Sequence, residues 1–341
     1  WTVLIVLQPL LAAVFLYLYL RSNNLSPLTC LFGAVTWAFS GFMLAWLTWG
    51  TIVHVVLWLP LILMSVDKLN KNRLFWSAIL VIALVCQFFG GHAQVSLYVV
   101  LLSGLYAIWR RAIFFWILLA ISIVLSSVQW VPLIGSLLES SRLSNVNVWQ
   151  TPGWFLPWQH IAQFFAPDFF GNPATLNYWG EWNYGEFIGY ISIVGIIFAI
   201  YALLLAKKSA SVKFWGAIVG VTFLFLPPTP LAKLPHILEI PILSSLQPTR
   251  IMVIVDFALV ILAALGFEQW QKNRDRRIWF AVGTTGVILL MLWAITPSLA
   301  AENVEVARRN LILPSILVGL TSFVIALVSV SRKKIIMIGA A

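Results

Sequence analysis

Charge is nearly absent from eleven long stretches of this chain, and that absence restricts the fold more than any other feature. A membrane span needs about 20 mostly apolar residues. Windows of that size predict spans near 2–20, 28–46, 52–67, 74–89, 93–109, 113–135, 187–206, 213–227, 251–267, 278–297 and 311–330. The third and eighth are short and carry or abut Pro60, Pro227 and Pro228, so they are expected to be tilted, broken or re-entrant. Only 9% of the 341 residues are charged and 61% are hydrophobic, whereas a soluble domain is typically about 25% charged. The expected fold is an all-α, polytopic transmembrane helix bundle forming one domain over residues 1–341.

The charges that remain fall in alternate gaps. Arg21, Lys68, Lys71, Arg73, Arg110, Arg111, Lys207, Lys208, Lys213, Lys272, Arg274, Arg276, Arg277, Arg332, Lys333 and Lys334 account for 16 of the 21 basic residues. The opposite gaps hold only Arg142, Lys233, Arg250, Arg308 and Arg309. This is the positive-inside pattern, and it places the basic loops in the cytoplasm and the others on the extracytoplasmic side. The net charge of +10 is therefore topological, and no nucleic-acid partner follows from it. The chain opens at Trp1 on the extracytoplasmic side, so an upstream span and loop are expected. Cys30 and Cys86 lie at opposite depths and are not expected to pair.

The cytoplasmic gaps are short connectors. Two extracytoplasmic segments are not. Residues 136–186 contain Trp149, Trp154, Trp158, Trp179 and Trp182 together with Glu139, Asp168, Glu181 and Glu186. Residues 227–250 hold six prolines and end in Arg250. Segments of this length within a compact protein are usually functional or disordered, and their aromatic content argues for order. Both are expected to lie on the bilayer surface or dip into it.

Three places carry candidate chemistry. In Gly90-Gly91-His92-Ala93-Gln94 the glycines allow a tight turn, and His92 and Gln94 are candidates to orient a sugar hydroxyl or a phosphate; a polar-capped hairpin is the plainer reading. In the segment 177–186, Tyr178, Trp179 and Trp182 can stack on sugar rings, while Glu181 and Glu186, with Asp168 upstream, are candidates for a general base. An interfacial aromatic belt is the alternative there. Arg250, at the mouth of the ninth span, can clamp a phosphate through parallel hydrogen bonds, and Arg142 is a second basic candidate. Asp256 follows Arg250 by six residues, about 9 Å deeper. An ionised group at that depth is either functional or locked to a neighbouring helix. His54, His160 and His236 show no metal-ligand spacing.

In order and spacing these places resemble the bacterial YfhO-like membrane proteins, which belong with the GT-C type of polytopic glycosyltransferases. The matching residues are Gly91-His92-Ala93-Gln94, Pro132 followed by Glu139-Ser140-Ser141-Arg142, Phe165-Ala166-Pro167-Asp168-Phe169-Phe170-Gly171, Tyr178-Trp179 with Glu186 and Tyr190, and Pro248-Thr249-Arg250 leading into Leu262-Ala263-Ala264-Leu265-Gly266-Phe267-Glu268. Ala93 stands where the family usually has proline. The resemblance implies a GT-C-like bundle that moves a sugar from a polyprenyl-phosphate donor to a cell-envelope polymer or glycolipid outside the membrane. It also implies a catalytic acid in the first extracytoplasmic loop, upstream of Trp1, so that these 341 residues alone are expected to be inactive. No cofactor is evident, and a divalent cation is left open. Two other readings stand beside this one: a transporter or flippase of lipid-linked glycans, and an assembly subunit with no small-molecule site.

Overall fold

In the computed structural model, residues 1–139, 147–205 and 209–338 are described, and no strand occurs among them. The helices are α1 (Thr2–Ser22), α2 (Pro27–Ala38), α3 (Gly41–Leu47), α4 (Ile52–Val56), α5 (Leu59–Lys68), α6 (Arg73–Phe88), α7 (Ala93–Trp109), α8 (Phe114–Leu125), α9 (Ser127–Leu138), α10 (Ile193–Leu204), α11 (Ala210–Phe223), α12 (Pro230–Ile237), α13 (Met252–Asn273), α14 (Ile278–Leu299) and α15 (Val304–Ile338).

Four segments among the described residues are long and apolar enough to cross a membrane unaided: Thr2–Ser22, Pro248–Asn273, Ile278–Leu299 and Ala301–Ser329. Two further spans form if bent pairs are taken together, α2 with α3 (45°) and α8 with α9 (70°). The predicted spans 74–89, 93–109, 187–206 and 213–227 appear as apolar helices between 10 and 17 residues long. At 1.5 Å per residue, these fall short of the roughly 30 Å hydrocarbon core. The predicted span 52–67 is divided between α4 and α5. Helix length alone therefore supports four to six spans.

Burial singles out α13 as the axis of the bundle. In the Pro248–Asn273 segment 78% of the most apolar window is buried, against 17% in Ala301–Ser329. A helix apolar on all sides belongs in the interior, and α13 packs on α2, α10 and α11. Small residues permit the approach. A Cβ built on Gly266 would sit 2.0 Å from the carbonyl oxygen of Phe198 in α10.

Cross-helix contacts gather at two ends of the bundle. At the basic end, Tyr19 donates to Tyr106, Tyr106 donates to Asp67, and Arg110 pairs with Asp67. At the same end Glu268 accepts from the backbone and hydroxyl of Ser26, and Arg274 donates to the Val328 carbonyl. At the opposite end Gln8 donates to the Gly50 carbonyl, and Gln94 donates to that of Gln247. This second end carries the 147–192 and 227–250 segments.

The break between α2 and α3 exposes backbone N–H groups inside the bundle, and each has a local answer. Gly41 N–H donates to the Tyr190 carbonyl (2.7 Å), and Met43 N–H donates to the Ser40 hydroxyl that caps α3. Phe42 N–H faces the carboxylate of Asp256 on α13, although neither Asp256 oxygen attains ordinary hydrogen-bond geometry. Asp256 is 0% exposed. Its side chain lies against the start of α3.

Candidate functional site

Four separate stretches of sequence meet at the mouth of α13. Pro248–Ile251 forms a 3-10 turn leading into that helix, which aims Thr249 and Arg250 at the 3-10 turn Tyr184–Glu186. Glu186 is 4% exposed. Its Oε2 accepts from the Thr249 hydroxyl at 2.8 Å, and its Oε1 faces Arg250 Nη2 at 3.4 Å. The guanidinium also lies over the Trp46 ring of α3, 5.6 Å from its centroid. Arg250 Nε is buried without a hydrogen bond.

The remaining face of Arg250 meets His92, whose Nε2 is 2.9 Å from Arg250 Nη1. His92 is the N-cap of α7, and its Nδ1 faces Val95 N–H at 3.3 Å. A neutral imidazole has one accepting nitrogen. His92 therefore either caps α7 or accepts from Arg250. When it caps, Nε2 carries the hydrogen and its contact with Nη1 is not a hydrogen bond; when it accepts, Arg250 donates to Nε2. Gln94, two residues on, is buried and donates to the Gln247 carbonyl (2.6 Å) and to the Tyr98 hydroxyl (2.9 Å), tying α7 to the Arg250 turn.

A pocket of about 390 Å³ backs onto this cluster, with Asp168, Asn172, Tyr184, Tyr190, Ala45 and Phe39 in its wall. Tyr184 lines the pocket while Glu186, two residues later, enters the ion cluster; Ala45 lines it while Trp46 covers Arg250. Asp168 Oδ1 accepts from the Tyr184 hydroxyl and from Asn172 Nδ2 (2.9 Å). Burial, reinforced by the hydrogen bond to Asp168, raises the Tyr184 phenol well above its usual range. It is therefore a donor to the carboxylate at neutral pH.

The Trp-rich segment is held by a histidine that spacing alone left unassigned. His160 is fully buried and stacks on Phe170 with ring centroids 4.0 Å apart. Its Nε2 accepts from Glu181 N–H (3.2 Å), so its Nδ1–H donates to Gln163 Oε1 (2.6 Å). Burial lowers its pKa to about 4, with the Gln163 bond opposing.

The candidates thus divide. Arg250, His92, Glu186 and Gln94 converge. Asp168 faces the adjoining pocket. Glu181 is exposed and held by Gln159 Nε2. Tyr178 donates to the Glu181 carbonyl (2.8 Å), and burial raises its phenol pKa. Trp179 packs on Phe169 and Phe170, whereas Trp182 is 52% exposed. Trp149 and Trp154 surround His236. Arg142 lies outside the described residues. Thr249, Trp46, Asn172 and Tyr184 are members of the site that residue type alone did not single out; Thr249, Asn172 and Tyr184 lie near Arg250, Asp168 and Glu186 in sequence, and Trp46 carried no signal.

Residues 1–340 match the family described as bacterial membrane protein YfhO. No curated protein and no solved structure matches the chain.

Proposed function

Because the chain belongs to the YfhO family of bacterial membrane proteins, we propose that it acts as a GT-C-like membrane glycosyltransferase of about eleven spans. It takes a sugar from a polyprenyl-phosphate donor and transfers it to a cell-envelope polymer or glycolipid. The site end is its extracytoplasmic face, by the positive-inside rule, and the membrane is the bacterial cytoplasmic membrane.

The observation that carries this reading is the meeting of Arg250 with His92 across 158 residues of sequence. A guanidinium at the end of an apolar bundle suits a phosphate oxygen, which accepts its charge-assisted hydrogen bonds, and His92 sits within reach of the same group. Glu186 and Thr249 fix the guanidinium from behind. In sugar transfer, the leaving phosphate gains negative charge as the anomeric bond breaks, and preorganised donors stabilise that charge. The acceptor hydroxyl must lose its proton. Glu186 is already committed to Thr249 and Arg250, so it serves to position Arg250. Asp168, in the roomier pocket, is the better placed of the candidate bases on this chain, with Glu181 second. Tyr178 and Trp182 complete the sugar-facing surface, Trp179 supports it from beneath, and Gln94 ties α7 to the Arg250 turn. Arg142 is retained as a second phosphate contact.

The test is transfer of radiolabelled sugar from a panel of polyprenyl-phosphate sugars, using the full chain in membranes. Transfer that depends on Arg250 supports the proposal. Arg250-dependent binding of the lipid with no transfer from any donor would favour the flippase.

A further inference from the structure

The segment between α11 and α13 has two unlike faces. Within α12, Leu231, Leu234, Ile237 and Leu238 follow the spacing of one helical face, and all four are exposed. Ala232 and His236 point the other way and are buried. His236 is enclosed by Trp149, Trp154 and Phe155, and its Nδ1 lies 2.8 Å from the Ser244 carbonyl. The exposed side continues past the helix through Ile242 and Leu243.

Both ends of this segment are fastened at helix mouths. Thr229, the N-cap of α12, donates to the Leu224 carbonyl at the close of α11. Val221 of α11 and its C-cap Leu224 are themselves exposed apolar residues. At the far end Gln94 holds the Gln247 carbonyl, three residues before Arg250. The exposed apolar face of α12 therefore continues the apolar surface of α11 and cannot drift from it. Glu239 (φ 48°) and Ile242 (φ 69°) adopt left-handed backbone, which is strained for a β-branched residue. That turn keeps Ile242 and Leu243 on the exposed side.

We propose that residues 230–243 form an arm embedded in the lipid leaflet nearest the site end, with Leu231, Leu234, Leu238 and Ile242 among the acyl chains. Its partner is the bilayer itself. An amphipathic helix gains by burying such a face at the headgroup and acyl boundary, and Lys233 can extend its ammonium towards the headgroups. The arm runs directly into the Arg250 turn, so a lipid-borne ligand moving along the leaflet meets Arg250 without leaving the membrane. This last consequence rests on the donor reading above; the embedding of the arm does not.

The test places spin labels at Leu234→Cys and Leu238→Cys in a Cys30→Ser, Cys86→Ser background. The full chain is reconstituted in vesicles of phosphatidylethanolamine and phosphatidylglycerol. Val221→Cys is the lipid reference and Glu302→Cys the aqueous one. The arm is embedded if relaxation at 234 and 238 is enhanced by oxygen more than by a water-soluble nickel chelate, as at 221 and opposite to 302. Greater enhancement by nickel overturns the proposal, as does protection from both reagents, which would mean that protein covers the face. Carbene labelling of the wild-type chain by a photoactivatable phospholipid gives an answer without substitutions: label is expected within 230–243, and its absence there while α11 is labelled overturns the proposal.

Discussion

The Thr249 hydroxyl donates to Glu186 Oε2 at 2.8 Å, and this bond joins the turn that opens α13, the most buried of the four long apolar segments, to the end of the Trp-rich segment. Thr249 is fully buried and Glu186 nearly so. Replacing Thr249 by Val keeps the shape and removes the donor, leaving a buried carboxylate oxygen unsatisfied at a cost of about 1–3 kcal/mol. Thermal unfolding of the Thr249→Val protein in detergent micelles should show a lower midpoint than wild type, whereas Thr249→Ser should stay close to it.

His160 makes the Trp-rich segment sensitive to acid. Its pKa is depressed to about 4 by burial, whereas an unfolded histidine titrates near 6.5. Between those values the unfolded state binds more protons, so stability rises with pH. The contribution is complete above about pH 6.5, is lost as pH falls towards 4, and amounts to about 3 kcal/mol at its limit. Protonation would also set Nε2–H against the Glu181 N–H that it now accepts. Amide protection factors across residues 158–187, taken relative to the intrinsic exchange rate at each pH, should fall between pH 6.5 and 4, and a His160→Gln protein should lose that pH dependence.

Gly266 sets the distance between α13 and α10. A methyl group there would lie 2.0 Å from a backbone oxygen, and backbone cannot rotate aside as a side chain can. Gly266→Ala should therefore destabilise by about 1–3 kcal/mol or more. Fluorescence-detected size-exclusion chromatography after heating should report the loss.

Asp256 is buried beside Phe42 N–H at the break between α2 and α3. Asp256→Asn should preserve both fold and ligand binding, while Asp256→Leu should lower the unfolding midpoint. Loss of binding in Asp256→Asn, at an unchanged midpoint, would instead assign Asp256 to the ligand.

The charge alternation was legible because a bilayer imposes it on each gap separately. The helix breaks were harder to read. Ser126 interrupts α8 and α9 without glycine or proline, through its own hydroxyl bonding back to Ser122 and Ile123. The predicted spans 28–46 and 113–135 accordingly bend. His92, Glu186 and Arg250 stood out as polar groups beside apolar runs, but a single sequence carries no sign that residues 158 positions apart touch. Trp46 and Tyr184 stayed hidden for the opposite reason: aromatic residues are so common here that none is conspicuous. His160 and His236, scattered in sequence, each anchor an aromatic cluster by burial.

The most direct measurement compares two lipids of equal tail length, a polyprenyl phosphate and the neutral polyprenol, for binding to the full chain and to Arg250→Ala. The account predicts that wild type binds the phosphate at least about tenfold more tightly, the loss expected when a charge-assisted pair is removed, and that Arg250→Ala binds both lipids equally. A preference for phosphate that survives in Arg250→Ala, or no preference in wild type, would contradict it.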